Sequence, residues 1–212
     1  LGTDTGRLVH DGTTMAWIVP AGSRWVGPDD DGPAAEIDGL LLHGAWDLIT
    51  ALEHFLVADC TDAVAQHHPK IPDHVMILGD PSDLVTLDAQ VEPGVVFEVR
   101  PGPIVVEAGA EVRSGARIEG PCFIGPGARV LGGFIRHSVL GPRSVVHGEV
   151  STSVFLGYAN KAHDGFVGHS VLGHWVNLGA GTTTSNLKNT YGQVRLELPG
   201  GKIDTGRQLL GS

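Results

Sequence analysis

A large aliphatic residue recurs at every sixth position in the middle of the chain. The series is Val106, Val112, Ile118, Ile124 and Val130. A small residue follows four positions after each of the first four, and a turn former stands just before it. These are Ala110, Ala116, Cys122 and Ala128, preceded by Gly109, Gly115, Pro121 and Gly127. The repeat is typical of a parallel β-helix, whose three short faces close a triangular coil of about 18 residues.

The repeat continues beyond Val130 with a looser rhythm. Five-residue steps occur, and Leu140-Gly141, Leu156-Gly157 and Leu172-Gly173 recur at 16 residues. We expect these three pairs to stack in register on successive coils. Antiparallel strands would instead show period-two alternation and hairpin dipeptides such as Asn-Gly. The pattern therefore predicts a parallel β-helix from about Val91 to Thr184.

The rhythm ends after Asn186. An alternating stretch, Val194 to Leu198, precedes Pro199-Gly200-Gly201 and predicts an excursion from the coils in the form of a short hairpin. Leu210-Gly211 resembles the start of another coil, and the sequence stops one residue later. A bare β-helix end would expose core and unpaired backbone. We therefore expect further coils, or another chain, to cover that end.

The first 90 residues differ from the rest in their pattern of apolar and turn-forming residues. Residues 1–38 carry short apolar runs between turn clusters, which predicts strands and loops. Apolar residues near helical spacing from about Leu40 to Ala65 predict an amphipathic helix. The run His67-His68-Pro69-Lys70-Ile71-Pro72 should end it, because proline cannot continue a helix. We expect a mainly β protein, with a small mixed α/β segment over residues 1–90 and the β-helix over residues 91–212.

Composition narrows the possible partners. The formal net charge is −10, which argues against a nucleic-acid or anionic-membrane surface, since those need clustered Lys and Arg. No apolar run approaches the roughly 20 residues of a membrane span. Cys60 and Cys122 give no disulfide framework, which fits a reducing cytoplasm. We expect a cytoplasmic protein.

Two neighbouring segments of the repeat carry polar residues that could do chemistry. They read Asn160-Lys161-Ala162-His163-Asp164-Gly165-Phe166 and Asn177-Leu178-Gly179-Ala180-Gly181-Thr182-Thr183-Thr184-Ser185-Asn186. At their mutual spacing they resemble the acetyltransferase part of bifunctional sugar-1-phosphate nucleotidyltransferase/acetyltransferases, a hexapeptide-repeat family that includes N-acetylglucosamine-1-phosphate uridylyltransferase/glucosamine-1-phosphate N-acetyltransferase. The close match covers roughly Ser151 to Tyr191.

The resemblance implies a role for four residues. His163 matches the general base that takes a proton from the sugar amine as the amine attacks the thioester of acetyl-CoA, and an imidazole with an ordinary pKa near 6.5 suits that task. Asn177 matches a substrate-contacting asparagine, and Asn186 one near the base and the acyl group. Ala180 matches a position whose backbone N–H faces the thioester oxygen. In that family the β-helix is left-handed, and three copies form a homotrimer with active sites between neighbours.

The sequence departs from the family at the sugar-phosphate contacts. Phe166 replaces the family's tyrosine, and no lysine matches the family's phosphate-binding lysines. The cations Lys161, Lys188, Arg136 and Arg143 are candidate substitutes, among which spacing does not choose. We expect Lys161, Phe166 and Lys188 to contact the substrate, a sugar phosphate of the glucosamine-1-phosphate type. Nucleotidyltransferase activity is not expected, because residues 1–90 supply no glycine-rich phosphate loop.

Two other functions remain open at the level of sequence. His169 and His174 have the five-residue separation of two zinc-binding histidines in proteins resembling γ-class carbonic anhydrases, with His147 or His163 as the third ligand. Both follow a glycine at a turn, which argues against them, and we expect no metal site. The other alternative is a non-catalytic β-helix that serves as a trimerisation module. Asn177 and Asn186 could also form structural hydrogen-bonded ladders.

Overall fold

The computed structural model describes residues 6–28, 32–67, 71–184 and 186–211, and the chain divides into two units, Leu1–His43 and Gly44–Ser212. The first unit is a small sheet of three strands: β1 (Gly6–His10), β2 (Thr13–Ile18) and β3 (Ala34–Glu36). β1 pairs with β2 in antiparallel and with β3 in parallel fashion. For the described residues of this range, the prediction of short strands and loops is confirmed.

The second unit opens with the predicted helix, α1 (Asp47–Ala65). It begins later than the pattern suggested, with Trp46 as its N-cap residue. Its buried stripe is Ile49, Leu52, Leu56 and Cys60, at the three- and four-residue spacing of one helix face. The helix ends before the proline run, as expected, although residues 68–70 of that run lie outside the described residues.

A parallel β-solenoid of about six turns follows the helix, consistent with the predicted left-handed β-helix. Its strands, with one short 3-10 helix at Pro81–Asp83, are β4 (Met76–Leu78), β5 (Leu84–Thr86), β6 (Gln90–Val91), β7 (Val96–Glu98), β8 (Ile104–Val106), β9 (Glu111–Val112), β10 (Ala116–Ile124), β11 (Arg129–Val130), β12 (Gly133–Leu140), β13 (Val145–Val146), β14 (Glu149–Ser151), β15 (Val154–Phe155), β16 (Asn160–Lys161), β17 (Phe166–Gly168) and β18 (Val171–Leu172). The stack begins upstream of residue 91, because β4 and β5 already pair in parallel with β7 and β8.

The three faces of the solenoid are three ladders of parallel strands. We call them face 1 (β5, β8, the second half of β10 and of β12, β15, β18), face 2 (β4, β7, the first half of β10 and of β12, β14, β17) and face 3 (β6, β9, β11, β13, β16). The five aliphatic residues that define the sequence repeat are completely buried, and the small residues beside them are 0–1% exposed. The hexapeptide repeat predicted that both sets of side chains point into the solenoid, and this is confirmed.

The predicted 16-residue register of the later coils is wrong. Leu140 pairs with Phe155, which pairs with Leu172, so the spacings are 15 and 17 residues. Phe155 is completely buried, whereas Leu156 is 39% exposed. The mean spacing of the Leu-Gly pairs is 16, but the coils differ in length because residues are lost and gained at the corners.

Helix α1 covers face 1 of the solenoid. Its buried stripe forms one apolar cluster with the outward valines of that face, among them Val85, Val105 and Val154. Such burial stabilises a chain by about 25 cal/mol per Å² of apolar surface. Within the described residues, no helix is long and apolar enough to cross a membrane.

The chain leaves the coils after Asn186 and returns near its end. The predicted hairpin forms from β19 (Arg195–Leu198) and β20 (Gly201–Asp204), which pair in antiparallel fashion. The Leu210 N–H then donates to the Asn186 carbonyl, and the Gly211 N–H donates to the His169 carbonyl. Leu210 and Gly211 thus hydrogen-bond to the last described coil, and Leu210 packs in the apolar cluster under α1 instead of inside the solenoid.

Candidate active site

The corner between face 3 and face 2 carries His163. Val146 pairs with Lys161 and Val150 with Val167, so this corner holds two more residues in the coil of His163 than in the coil before it. The extra length places His163 and Asp164 outside the stack, where both are exposed. A longer corner on a rigid solenoid is a common way to present functional side chains.

An open groove of about 420 Å³ lies at this corner. Its lining residues are Leu131, His147, Ala162, His163, Asp164, Ala180 and Gly181. The structure therefore brings together His163 and Ala180, two of the four residues with predicted catalytic roles. The His147 Nδ1 lies 3.0 Å from a carboxylate oxygen of Asp164, so a second imidazole and a carboxylate share the groove.

Backbone N–H donors remain available beside His163, and that of Ala180 is one of them. The Gly181 N–H donates to the Asp164 carbonyl at 3.0 Å, which fixes the second corner segment against the first. Neither the Ala180 N–H nor the His163 imidazole has a partner within the described residues. A free N–H and a free imidazole in one groove can, respectively, stabilise an oxyanion and move a proton.

Lys161 lies inside the solenoid instead of in the groove. It occupies the inward position that Val146 fills one coil earlier, and its side chain is completely buried. Its ammonium donates a hydrogen bond to the His163 carbonyl. Burial lowers the pKa of the Lys161 ammonium from its ordinary value. In this chain the lysine therefore ties the His163 segment to the core, and its Nζ does not face a substrate in the groove.

The other predicted site residues lie elsewhere. Asn177 pairs with Asn160 on face 3, and the Asn160 side-chain amide donates to the Asn177 Oδ1 at 2.6 Å. This is the hydrogen-bonded ladder that the sequence left open for Asn177. Phe166 starts β17 with its ring against Gly168. The Lys188 ammonium donates to the Gln193 carbonyl at 2.7 Å on the exposed excursion.

Asn186 belongs to a different corner, the one between face 2 and face 1. Its side-chain nitrogen lies 3.1 Å from the His169 Nδ1. Burial lowers the pKa of the His169 imidazole, and that of His137 two coils earlier. Within one chain, Asn186 is thus not beside His163, and only a neighbouring copy could bring the two together.

The histidines of the alternative zinc site are dispersed over three corners. His169 contacts Asn186, His174 lies beside Tyr158 with 6.4 Å between ring centroids, and His147 and His163 line the groove. Among the described residues, the only cluster of three potential metal ligands is His10, Asp11 and Glu36 in the first unit. One chain therefore does not assemble a three-histidine site from the solenoid.

The pairing of His147 with Asp164 was not anticipated from sequence. The two are 17 residues apart, about one coil, so the repeat itself held the signal. Their proximity depends on the corner lengths, and these could not be read from a pattern that averages to 16.

Comparison of the chain with protein-family models and with curated proteins gives no match.

Proposed function

We propose that this chain is an acyltransferase that moves an acetyl group from acetyl-CoA to the amine of a sugar phosphate of the glucosamine-1-phosphate type. The observation that carries the proposal is the shared groove of His163 and Ala180, whose imidazole and N–H, respectively, have no partner among the described residues. The motif resemblance assigns those two residues the two chemical tasks that amide formation from a thioester requires.

His163 acts as the general base. The amine attacks the thioester carbonyl, its excess proton passes to the imidazole, and the thiolate of coenzyme A leaves. Exposure of His163 on the long corner allows the acceptor to reach it. Such a base contributes about 10²–10⁴-fold to the rate.

The Ala180 N–H stabilises the charge that develops on the thioester oxygen. A fixed backbone donor costs no reorganisation when the negative charge forms. The hydrogen bond from Gly181 to the Asp164 carbonyl holds this backbone in place. Asp164, whose carboxylate is 87% exposed in the same groove, attracts the cationic form of the amine before it loses its proton.

The phosphate of the acceptor needs cations from outside the groove of one chain. No lysine or arginine is among the groove's described lining residues. A homotrimer with the active site between neighbours, as the resemblance implies, would supply them together with Asn186. The work of the protein would then be synthesis of an N-acetylated sugar phosphate for nucleotide-sugar formation in the cytoplasm.

The test is a coenzyme A release assay with acetyl-CoA and a panel of amino sugar phosphates. His163→Ala should lower acetyl transfer by at least about tenfold. His54→Ala is the matched control, because His54 is an exposed histidine on α1 and should leave the rate unchanged.

Two results would overturn the proposal. One is the absence of coenzyme A release with every amine acceptor, which would favour the non-catalytic module. The other is a His163→Ala variant as active as the wild type.

A further inference from the structure

The corner between face 1 and face 3 holds one residue per coil in the left-handed backbone conformation. The series along it is Asp88, Gly109, Gly127, Arg143, Tyr158 and Trp175, with φ values between 51° and 69°. Backbone hydrogen bonds link successive coils at this corner as far as Tyr158, and the rings of Tyr158 and Trp175 are in contact beyond it. For example, the Arg143 N–H donates to the Pro126 carbonyl, and the Tyr158 N–H to the Pro142 carbonyl. These residues therefore stack in a column along the edge of the solenoid.

Large aromatic residues are unexpected in this column. Glycine suits a positive φ, and earlier coils use Gly109 and Gly127 there. Tyr158 (φ 53°) and Trp175 (φ 64°) are bulky residues in a conformation that disfavours them. They gain little burial in exchange, because Trp175 is 76% and Tyr158 40% exposed. Strained residues that folding does not require are candidates for a binding function.

The two rings form a stacked pair. Their centroids are 4.7 Å apart and their planes are inclined by 22°. Since Tyr158 lies on one face of the Trp175 indole, the high exposure of Trp175 leaves its other face to solvent. An open indole face next to a stacked ring is a platform for a further planar ring.

Arg143 adds a free cation to the same column. The other arginines of the solenoid, Arg100, Arg113, Arg117, Arg129 and Arg136, all pair with glutamates. The Arg143 guanidinium has no hydrogen-bond or ion-pair partner among the described residues. Neighbouring strands lie about 4.8 Å apart, so Arg143 is about one coil from Tyr158 and two from Trp175. A guanidinium favours phosphate, with which it forms bidentate hydrogen bonds.

We propose that the column Arg143–Tyr158–Trp175 binds a nucleoside phosphate, with the base stacked on the Trp175 indole and a phosphate on the Arg143 guanidinium. The ligand could be the nucleotide part of coenzyme A or a nucleoside diphosphate sugar, because both join a planar base to phosphates. A nucleic acid does not fit, since the one unpaired arginine among the described residues of the solenoid, on a chain of net charge −10, gives no basic track. The proposal concerns a different corner from the His163 groove and does not depend on acetyl transfer.

The test measures binding to the full chain by isothermal titration calorimetry, with 3′,5′-ADP, coenzyme A, UDP and adenosine as probes. Trp175→Gly should weaken binding of every probe by at least about tenfold, from the loss of a stacked base. Because glycine suits the left-handed corner, the variant should keep its fold, which circular dichroism checks. Arg143→Gln should weaken the phosphorylated probes and leave adenosine unchanged. Trp25→Ala, an exposed tryptophan of the first unit, is the matched control and should bind as the wild type.

The probes also identify the source of the nucleotide. Tighter binding of coenzyme A and 3′,5′-ADP than of UDP supports the coenzyme, and the reverse order supports a nucleotide sugar. Wild-type protein that binds no probe at millimolar concentration overturns the proposal, as does equal binding by Trp175→Gly. Dissociation of an oligomer by Trp175→Gly without nucleotide binding would instead assign the column to an interface between copies of the chain.

Discussion

Replacement of Lys161 by methionine should make the folded chain more stable. Lys161 is a completely buried lysine in a column whose preceding member is Val146, and its ammonium donates to the His163 carbonyl. Methionine keeps an unbranched side chain of similar length and removes the charge. The variant therefore removes both the buried ammonium and its hydrogen bond to the His163 carbonyl.

The magnitude follows from two opposing effects. Burial of a charged group costs several kcal/mol, and a hydrogen bond from a charged donor returns about 1.5–3 kcal/mol. Removal of both should leave Lys161→Met more stable at pH 7 by about 1–2 kcal/mol. For a chain of this size that corresponds to a rise in Tm of about 2–4 °C for each kcal/mol.

The advantage of Lys161→Met should depend on pH. Because burial lowers the pKa of Lys161 in the folded chain below its ordinary 10.5, the unfolded chain binds more protons between those two values. The stability of the wild type therefore rises with pH through that window, and its deficit relative to the variant shrinks as pH approaches 10.5. Urea unfolding at pH 7 and pH 10 measures the difference. Lys188→Met, which removes an exposed lysine, should change stability little at either pH.

Two results would refute this reasoning. A Lys161→Met variant that is less stable than the wild type by more than about 1 kcal/mol at pH 7 would mean that the hydrogen bond to His163 outweighs the cost of burial. A stability difference that is equal at pH 7 and pH 10 would mean that the lysine is not desolvated.

Three further predictions concern the scaffold. Phe155→Ala should lower the free energy of unfolding by about 3–5 kcal/mol, whereas Leu156→Ala should lower it by less than about 1 kcal/mol. Urea unfolding measures both losses, and equal losses would contradict the 15- and 17-residue register. Hydrogen bonding from Arg100 lowers the pKa of Glu98 from 4.5 to about 2, so its stabilisation is complete above pH 4.5 and is lost as pH falls toward 2. In thermal melts, Glu98→Gln should make Tm depend less on pH between pH 4.5 and pH 2. An unchanged pH dependence would contradict this stabilising role of Glu98. Burial raises the pKa of Cys60 and Cys122 to about 12, so iodoacetamide at pH 8 should alkylate the folded chain at least about a hundredfold more slowly than the unfolded chain, and comparable rates would contradict the burial.

The scaffold was largely predictable because the hexapeptide repeat is a local rule. Each face of the coil buries one aliphatic and one small residue, so Ile118 and Cys122 reveal their inward positions from spacing alone. The number of residues in each corner is set by the backbone conformation of that turn, and it does not recur at a fixed spacing in the sequence. For this reason the stacking of Phe155, instead of Leu156, on Leu140 was missed.

The candidate site was predictable only in part. The motif placed His163 and Ala180 in one groove, because both follow the same strand ladder at the same corner. It gave no information on the direction of Lys161, since a lysine in an inward position looks like any polar residue of a strand. The Tyr158–Trp175 stack also had no signal in the repeat, because the two belong to a column whose members vary from coil to coil, with glycine in only two of the earlier ones.

The most direct test of the central claim is detection of the product. Glucosamine-1-phosphate and acetyl-CoA are incubated with the wild-type chain or with His163→Ala, and the N-acetylated sugar phosphate is quantified by mass spectrometry. We predict product formation by the wild type and at least about tenfold less by His163→Ala. Equal amounts of product from the two proteins, or none from the wild type with this and every other amino sugar phosphate, would contradict the assignment of His163 as the base of an acetyltransferase.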